Sequence, residues 1–287
     1  MSSQITTAFV NQFSSNVQLL SQQRGSLLRG SVSEEAVTGE KAFFDQVGAT
    51  AAVKRTSRHQ DTQILDTPHS RRMVTMDSYE WADLIDDADK IRMLIDPTST
   101  YVQAAASAIG RSMDDAIITA ATGTSKTGSS GSTDTSMLAG NIIAHGSADL
   151  TIAKLINAKK ILDEGSVDPS IPRYIAVAPA QVEALLGTTQ ITSSDFNTVK
   201  ALVAGEVDTF MGFKFIMSTR LAVASSIRTC FAWAEDGIKL AVGKDVMAKI
   251  DERADKSYST QVFYCATFGA TRMEEAKVVS ILCDESA

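Results

Sequence analysis

Residues 96–123 read DPTSTYVQAAASAIGRSMDDAIITAATG. Asp96 is placed to cap a helix N-terminus, and Pro97 falls at the first helical position, where a missing N–H costs nothing. Val102, Ala105, Ile109, Met113, Ala116 and Ala120 then recur at threes and fours, the spacing of one helical face. Gly123 supplies a left-handed stop. A helix from Pro97 to Thr122, about 26 residues at about 1.5 Å each, is a rod of about 39 Å. Ala104, Ala105, Ala106, Ser107, Ala108, Gly110 and Ser112 keep its first half slim, so other backbone can approach closely. Such a helix is a spine rather than an ordinary domain helix.

The stretch before the spine is acidic. From Thr75 to Asp96, the acids Asp77, Glu80, Asp83, Asp86, Asp87, Asp89 and Asp96 face only Lys90 and Arg92, a net of minus five. The stretch before that is basic. In KRTSRHQDTQILDTPHSRRMV, residues 54–74, Lys54, Arg55, Arg58, Arg71 and Arg72 outnumber Asp61 and Asp66 by three. Thr67-Pro68 followed by His69-Ser70 is a turn signal, so a long hairpin is expected here. Ile64 and Leu65 are its only large aliphatics before Met73, too few for a core of its own, and the hairpin is expected to lie on another surface. Adjacent segments of opposite charge favour pairing, within one subunit or between subunits. Arg55, Arg58, Arg71 and Arg72 are the basic candidates for that contact, and Asp83, Asp86 and Asp87 the acidic ones. Further upstream, Phe9, Phe13, Val17 and Leu20 make one apolar helical stripe. It either packs on its own domain or docks as an arm on a neighbour.

Downstream, residues 123–140 are rich in Gly, Ser and Thr with almost no apolar content, the composition of an exposed loop. Thr151 caps a helix through Ile152, Leu155, Ile156 and Leu162 that ends at Gly165. Tyr174–Ala178 is a short apolar strand, Pro179 opens a helix with Val182, Leu185 and Leu186, and Ser194 starts another to Ala204. Strands and turns follow: Thr209–Ser218, Thr229–Ala234, a turn at Glu235–Gly237, Ile238–Val242, Val246–Ile250, Ser259–Phe268 and Lys277–Leu282. Helices first and strands late is an α+β organisation.

The chemistry-bearing motifs are missing. His59, His69 and His145 are far apart and none stands in H-E-x-x-H. No G-x-S-x-G elbow and no G-x-G-x-x-G fingerprint occurs. Gly123 and Gly128 imitate the start of a P-loop, but Ser129 and Ser130 stand where Lys and Ser/Thr are needed. The cluster Asp83, Asp86, Asp87, Asp89 lacks the order and central glycine of an EF-hand loop and is expected as a solvated or partner-facing face. Asp114 and Asp115 are neighbours in a helix and share no face. Catalytic, cofactor and metal residues are therefore expected to be none. Cys230, Cys265 and Cys283 fit reduced cytosolic thiols rather than a disulfide framework. No apolar run is long enough to span a bilayer, and MSSQITTAFVNQF has no secretory character. The net charge of −7 argues against a nucleic-acid-binding patch as the main activity. With 44% hydrophobic residues in 287, the chain can bury one large core or two smaller ones.

The order of these elements resembles the major capsid proteins of tailed double-stranded DNA phages, the Hong Kong 97-like fold. The residues that carry the likeness run the length of the chain. They are the arm, the extended loop, the spine helix, and LINAKKILDEG followed by RYIAVAPAQVEALL. The glycine-led strand MGFKFIMST comes next, and then CATFGATRMEEAKVV, in which Arg272, Ala276 and Val278 keep a family spacing. TPHSRRMVTMDSYEWADLIDD looks like one phage capsid subfamily. The family often has proline where Lys214 stands, and no N-terminal coiled-coil scaffolding region is seen here.

The resemblance implies an N-terminal arm (1–53) and an extended E-loop (54–80). It implies a peripheral P-domain (81–150 and 238–275) with the spine helix 97–122, and an axial A-domain (151–237 and 276–287). It implies a shell protein, not an enzyme, that assembles with itself into pentamers and hexamers around double-stranded DNA without sequence-specific contacts. The implied partners are a separate scaffolding protein, a portal protein at one vertex and a decoration protein, with no membrane. The expected place is the virion, after assembly in the host bacterial cytoplasm. An encapsulin-type nanocompartment shell with the same fold is the alternative, and an enzyme with a lid at 123–147 is the reading from a different class.

Overall fold

The computed structural model describes residues 21–85, 98–187 and 209–286. The stripe at Phe9, Phe13, Val17 and Leu20, the capping pair Asp96-Pro97, the acids Asp86, Asp87 and Asp89, and the helix expected at Ser194–Ala204 lie outside the described residues. The chain forms two compact units, one of residues 1–26, 78–113 and 244–267, the other of residues 27–77, 114–243 and 268–287.

The spine helix, α1, runs Thr98–Thr122 and ends at Gly123, whose N–H returns to the Thr119 carbonyl at 2.8 Å; Gly123 does not take the left-handed conformation expected of it. In the first unit Ala105, Ile109 and Met113 are buried along it, at the apolar spacing that predicts the helix. The unit's strands are β4 (Asp77–Ile85) and the outer parts of two long strands, β13 (Ile238–Arg253) and β14 (Ser259–Arg272). On β14, Val262, Tyr264 and Ala266 alternate inward. The two strands expected at 238–242 and 246–250 are one strand of 16 residues, because Gly243 and Lys244 keep extended backbone between them. The slim face of α1 is used: a Cβ on Gly110 would lie 2.4 Å from the Gly25 carbonyl carbon. Beside it, Arg111 Nη1 donates to Gln22 Oε1 at 2.8 Å and to the Gln23 carbonyl at 3.2 Å.

The second unit carries two sheets. One is mixed and seven-stranded, in the order β7 (Ile142–Ile143), β15 (Val278–Asp284), β12 (Ile227–Ala234), β8 (Arg173–Val177), β10 (Phe213–Met217), β9 (Thr209–Phe210), with β11 (Val223–Ala224) on β12. β8 and β10 run parallel and β12 antiparallel to β8, with Phe231 opposite Ala176 and Trp233 opposite Tyr174. The expected helix α2 (Ile152–Glu164) is present, and the Thr151 hydroxyl accepts from Lys154 N at 3.3 Å as its cap. It buries Leu155, Ala158 and Leu162. α3 (Pro179–Gly187) opens on the expected proline.

The other sheet has the order β2 (Lys41–Val47), β3 (His69–Thr75), β5 (Ser125–Thr127), β6 (Thr133–Thr135). Two expectations are corrected by it. Thr67-Pro68 is not the turn of the hairpin: its strands are β2 and β3, paired from Lys41↔Thr75 to Val47↔His69. Gly48 N bonds the Pro68 carbonyl at 2.8 Å, so the proline closes the base and residues 49–67 form the tip. The stretch 123–140 is not a plain loop either. Its β-branched threonines pair as β5 and β6, and Gly131, at φ 68°, sits where a Cβ would lie 2.3 Å from Met73 Sδ. Ala42, Phe44, Val74, Met76, Ala241 and Met273 form the core beneath the hairpin. β1 (Ser33–Ala36) runs parallel to Lys239–Val242 of β13. Among the described residues four strands thus precede the spine helix, while the α+β class stands.

Candidate assembly surfaces

Three features of the second unit are set apart by exposure or charge: the hairpin tip, the polar cluster at its base, and the charged end of β15. The tip contains Lys54, Arg55, Arg58, Asp61 and Asp66, a net of plus one. Its side chains are almost wholly exposed: Ile64 is 91% accessible and Val53 and Leu65 about half. A segment of about twenty residues with so little buried surface cannot offset its own ordering entropy.

The base of the hairpin is different. Arg71, expected in a contact with a neighbour, pairs with Asp45 across the strands at 2.5 Å and lies over the Phe43 ring. That pairing pulls the Asp45 carboxyl below its ordinary value. Arg72, also expected in that contact, is buried. Its Nη2 meets Glu275 Oε2 at 2.5 Å and its Nε donates to the Met273 carbonyl at 2.8 Å. Strand alternation explains the split, because odd and even residues of β3 face opposite ways. Arg55 is exposed and donates to the Ser57 carbonyl, and Arg58 is exposed. Asp83 is half-buried on β4 and accepts from Leu84 N.

Arg72 belongs to a larger cluster. Arg272, fully buried, donates through Nη1 to the Ala121 and Gly123 carbonyls at 3.0 and 2.7 Å and through Nη2 to Thr135 at 3.3 Å. Its Nε stands 3.7 Å from Glu275 Oε1. Asn141 Nδ2 takes the Glu275 and Val278 carbonyls at 2.6 and 3.1 Å. Burial pushes the Arg272 guanidinium below its ordinary value, and the Glu275 carboxylate opposes that. One arginine thus joins the end of α1, β6 and the turn before β15, and Glu275 joins all three to the hairpin.

At the far end of β15, Arg228 grips Glu285, and Gln181 Nε2 donates to the same carboxylate at 3.0 Å. The Arg228 bond, seconded by Gln181, holds the Glu285 carboxyl below its ordinary value. A carboxyl lowered by folding stabilises above its unfolded value, and that contribution is lost as pH falls through the folded one. Stability is therefore expected to hold from pH 7 to 5 and to decline toward pH 3. Glu285→Gln is expected to flatten part of that decline in urea melts at each pH.

Among the described residues no group of three or more His, Cys, Asp or Glu is placed to hold a metal, and no helix is long and apolar enough to cross a membrane. Cys230 and Cys283 are buried free thiols, and the contact between them, with burial, pushes Cys230 well above its ordinary value. The role of Asp114 went unread in the sequence. Adjacent carboxylates in a helix signal nothing by spacing, yet Asp114 bonds the main chain of Leu27 and Leu28 while Asp115 pairs with Arg220 at 2.5 Å.

Comparison with known proteins supplies the class and the family. The model of the family described as "Phage capsid protein" matches residues 5–285, so the chain belongs to the phage capsid protein family. No curated protein sequence matches it. Solved structures do. The capsid of cyanophage P-SCSP1u aligns over 96% of this chain and 93% of its own, with TM-score 0.75 and 17% identity. The capsid of Ralstonia phage GP4 aligns over 96% and 95%, with TM-score 0.75 and 10% identity. The head structure of Helicobacter pylori bacteriophage KHP40 aligns over 97% and 96%, with TM-score 0.74 and 9% identity. The resemblance to a tailed-phage major capsid protein, with its Hong Kong 97-like fold, is thereby upheld, and an encapsulin-type shell is not favoured. The chain is a structural protein of the virion head that assembles with itself into the capsid shell.

Proposed function

We propose that this capsid protein builds pentamers and hexamers through head-to-tail contacts and that the closed icosahedral head encloses double-stranded DNA without reading its sequence. Heterologous contacts close into rings when the rotation permits. A net charge of −7 suits a wall that repels packed polymer rather than binding it. The seven-stranded sheet with α2 and α3 serves as the axial domain, residues 151–237 and 276–287. Residues 81–150 and 238–275 serve as the peripheral domain; the E-loop, expected at 54–80, begins earlier because its first strand is β2, and the arm is the part of 1–53 before that strand. The stripe Phe9, Phe13, Val17 and Leu20 docks on a neighbour. A separate scaffold, a portal at one vertex and a decoration protein complete the partner set, assembly takes place in the host cytoplasm, and the chain has no enzymatic role.

The observation that carries this reading is the hairpin tip: a long, almost fully exposed segment with Ile64 in the open, on an otherwise well-packed unit. In an assembly the tip of one copy lies over the acidic stretch of the next. Its cations are Lys54, Arg55 and Arg58, and Arg71 and Arg72 are excluded because they are engaged at the base. The acidic side is Asp77, Glu80 and Asp83 of β4 with Asp86 and Asp87. Exposed pairs are weak singly and screened by salt, so register arises from their number.

Reversing Lys54, Arg55 and Arg58 to Glu is expected to stop shell formation in light scattering and microscopy while the subunit's melting temperature stays within about 1–2 °C, the scatter of a surface change. Reversing Asp86 and Asp87 to Lys in that background is expected to restore part of the yield. Assembly of the triple variant at wild-type rate in low and high salt alike would sink the charge reading.

A further inference from the structure

His145 stands two residues past β7, where the chain turns toward α2, and its Nδ1 faces two partners with opposite requirements. The Ser147 N–H donates to Nδ1 at 3.1 Å, which needs the nitrogen's lone pair and therefore a ring with no proton there. Asp284 Oδ2 lies 3.5 Å from the same Nδ1, and a carboxylate calls for an N–H at that place. One nitrogen cannot serve both. Each partner is held ready. Ser286 N and Oγ donate to Asp284 Oδ1 at 3.0 and 2.6 Å, which leaves Oδ2 for the ring, and Asp284 N donates to the Ala148 carbonyl at 3.1 Å. The turn closes through Ala148 N on the His145 carbonyl at 3.1 Å, with Gly146 at φ 57° and Ser147 at φ 53°. A left-handed serine is unfavourable on its own, and the bond from its N–H to the ring offsets that. The other charged groups about the turn are engaged elsewhere. Lys154 of α2 donates through Nζ to the Ala148 and Leu282 carbonyls at 2.7 and 2.9 Å. Asp149 accepts from Leu150 N and Gln181 Nε2, and Arg228 of β12 is paired with Glu285. Of the side chains here, an imidazole is the kind whose charge ordinarily changes between pH 5 and 8.

We propose that His145 is a pH-operated latch on the link between β7 and α2. Neutral, it holds the 145–148 turn through Ser147. Protonated, it has donors at both ring nitrogens, so Nδ1 releases the Ser147 N–H and pairs with Asp284 instead. The side chain is 37% exposed, open to protons from solvent. Ser286 first, and His145 after it, hold the Asp284 carboxyl below its ordinary value, so the carboxylate is present on both sides of the exchange. Acidification therefore loosens the turn and secures the end of β15. The turn lies just before residue 151, where the axial domain is proposed to begin, so the joint between the two proposed domains is what acid frees. That placement rests on the proposed domain limits; the latch itself does not.

The test uses the full-length soluble subunit at about pH 7.5 and about pH 5.5, either side of the ordinary imidazole range. Hydrogen exchange at the Ser147 amide, divided by its intrinsic rate at each pH, is expected to quicken about fivefold at the lower pH, the equivalent of one lost hydrogen bond. His145→Asn offers a carbonyl oxygen that accepts from Ser147 N and takes no proton in this range. Its exchange ratio is expected to be the same at both pH values. Asp284→Asn is read by urea unfolding and keeps the test open should His145→Asn fold poorly. In the wild-type background it is expected to lower the folding equilibrium constant about threefold more at the lower pH, the worth of one exposed ion pair. In the His145→Asn background its cost is expected to be the same at both. An unchanged Ser147 ratio in the wild-type chain, or the same quickening in His145→Asn, would overturn the latch. So would a cost of Asp284→Asn that ignores pH, since the pair would then never form. Quickened exchange at Ser147 with the first turn of α2 equally protected at both pH values would uphold the latch and remove the domain joint from it.

Discussion

Arg272→Leu is expected to cost about 3–5 kcal/mol of folding stability, the range for removing one partner from a buried ionic cluster. Against a total of about 5–15 kcal/mol for a typical domain, that leaves a chain that is marginal or unfolded. The size follows from what the guanidinium serves. Three carbonyls, of Ala121, Gly123 and Thr135, would lose their donor inside the protein. Glu275 would be left with Arg72 as its buried cationic partner. Leucine fills part of the volume, but it cannot satisfy an acceptor. Arg272→Lys keeps the charge and is expected to recover less than half of the loss, because one ammonium cannot reproduce a planar fork aimed at separate carbonyls. Urea unfolding of the soluble subunit measures both. An Arg272→Leu loss below about 1 kcal/mol would show that Ala121, Gly123 and Thr135 find water instead.

Arg272 also shows how far the sequence could be read. Its spacing to Ala276 and Val278 marked a family pattern, but spacing says nothing of the three carbonyls it serves, which come from positions 121 to 135. The described helices and most described strands are legible because their signals are local: the 3.6 period of α1, the Thr151 cap, the proline opening α3. The hairpin was misplaced because the only strong turn signal nearby, Thr67-Pro68, lies at its base, while the partner strand AFFDQV is short and mixed. β5 and β6 were missed because threonine-rich strands look like loops unless the partner is known, and the partner, β3, is some fifty residues away. Arg71 and Arg72 show the same limit on charge. Both add to the basic count of the hairpin and are candidates for one contact, yet one pairs across the strand and the other is buried, a distinction set by register alone. Net charge is readable from sequence; which charges remain available is decided by packing.

Gly110→Val is expected to be the most damaging single change in the first unit, and it sets two effects of opposite sign against each other. On helix propensity alone, Gly→Ala in the middle of α1 gains up to about 1 kcal/mol, because glycine surrenders the most backbone entropy. Packing outweighs that gain. A Cβ at this position would stand 2.4 Å from the Gly25 carbonyl carbon and 2.6 Å from Gly25 Cα and Ser26 N, all of them backbone. No rotamer change relieves a clash with main chain, so the segment must move or the helix must bend. Overpacking of this kind costs about 1–3 kcal/mol and sometimes more. Alanine is therefore expected to lose about 1 kcal/mol net, and valine, branched at the clashing carbon, about 3 kcal/mol. The displacement should also be visible locally: Arg111 would lose Gln22 and the Gln23 carbonyl, and trypsin should cut at Arg24 sooner than in the wild-type chain. An alanine variant more stable than wild type, with Arg24 still protected, would mean that the segment 22–26 does not cross the helix at Gly110.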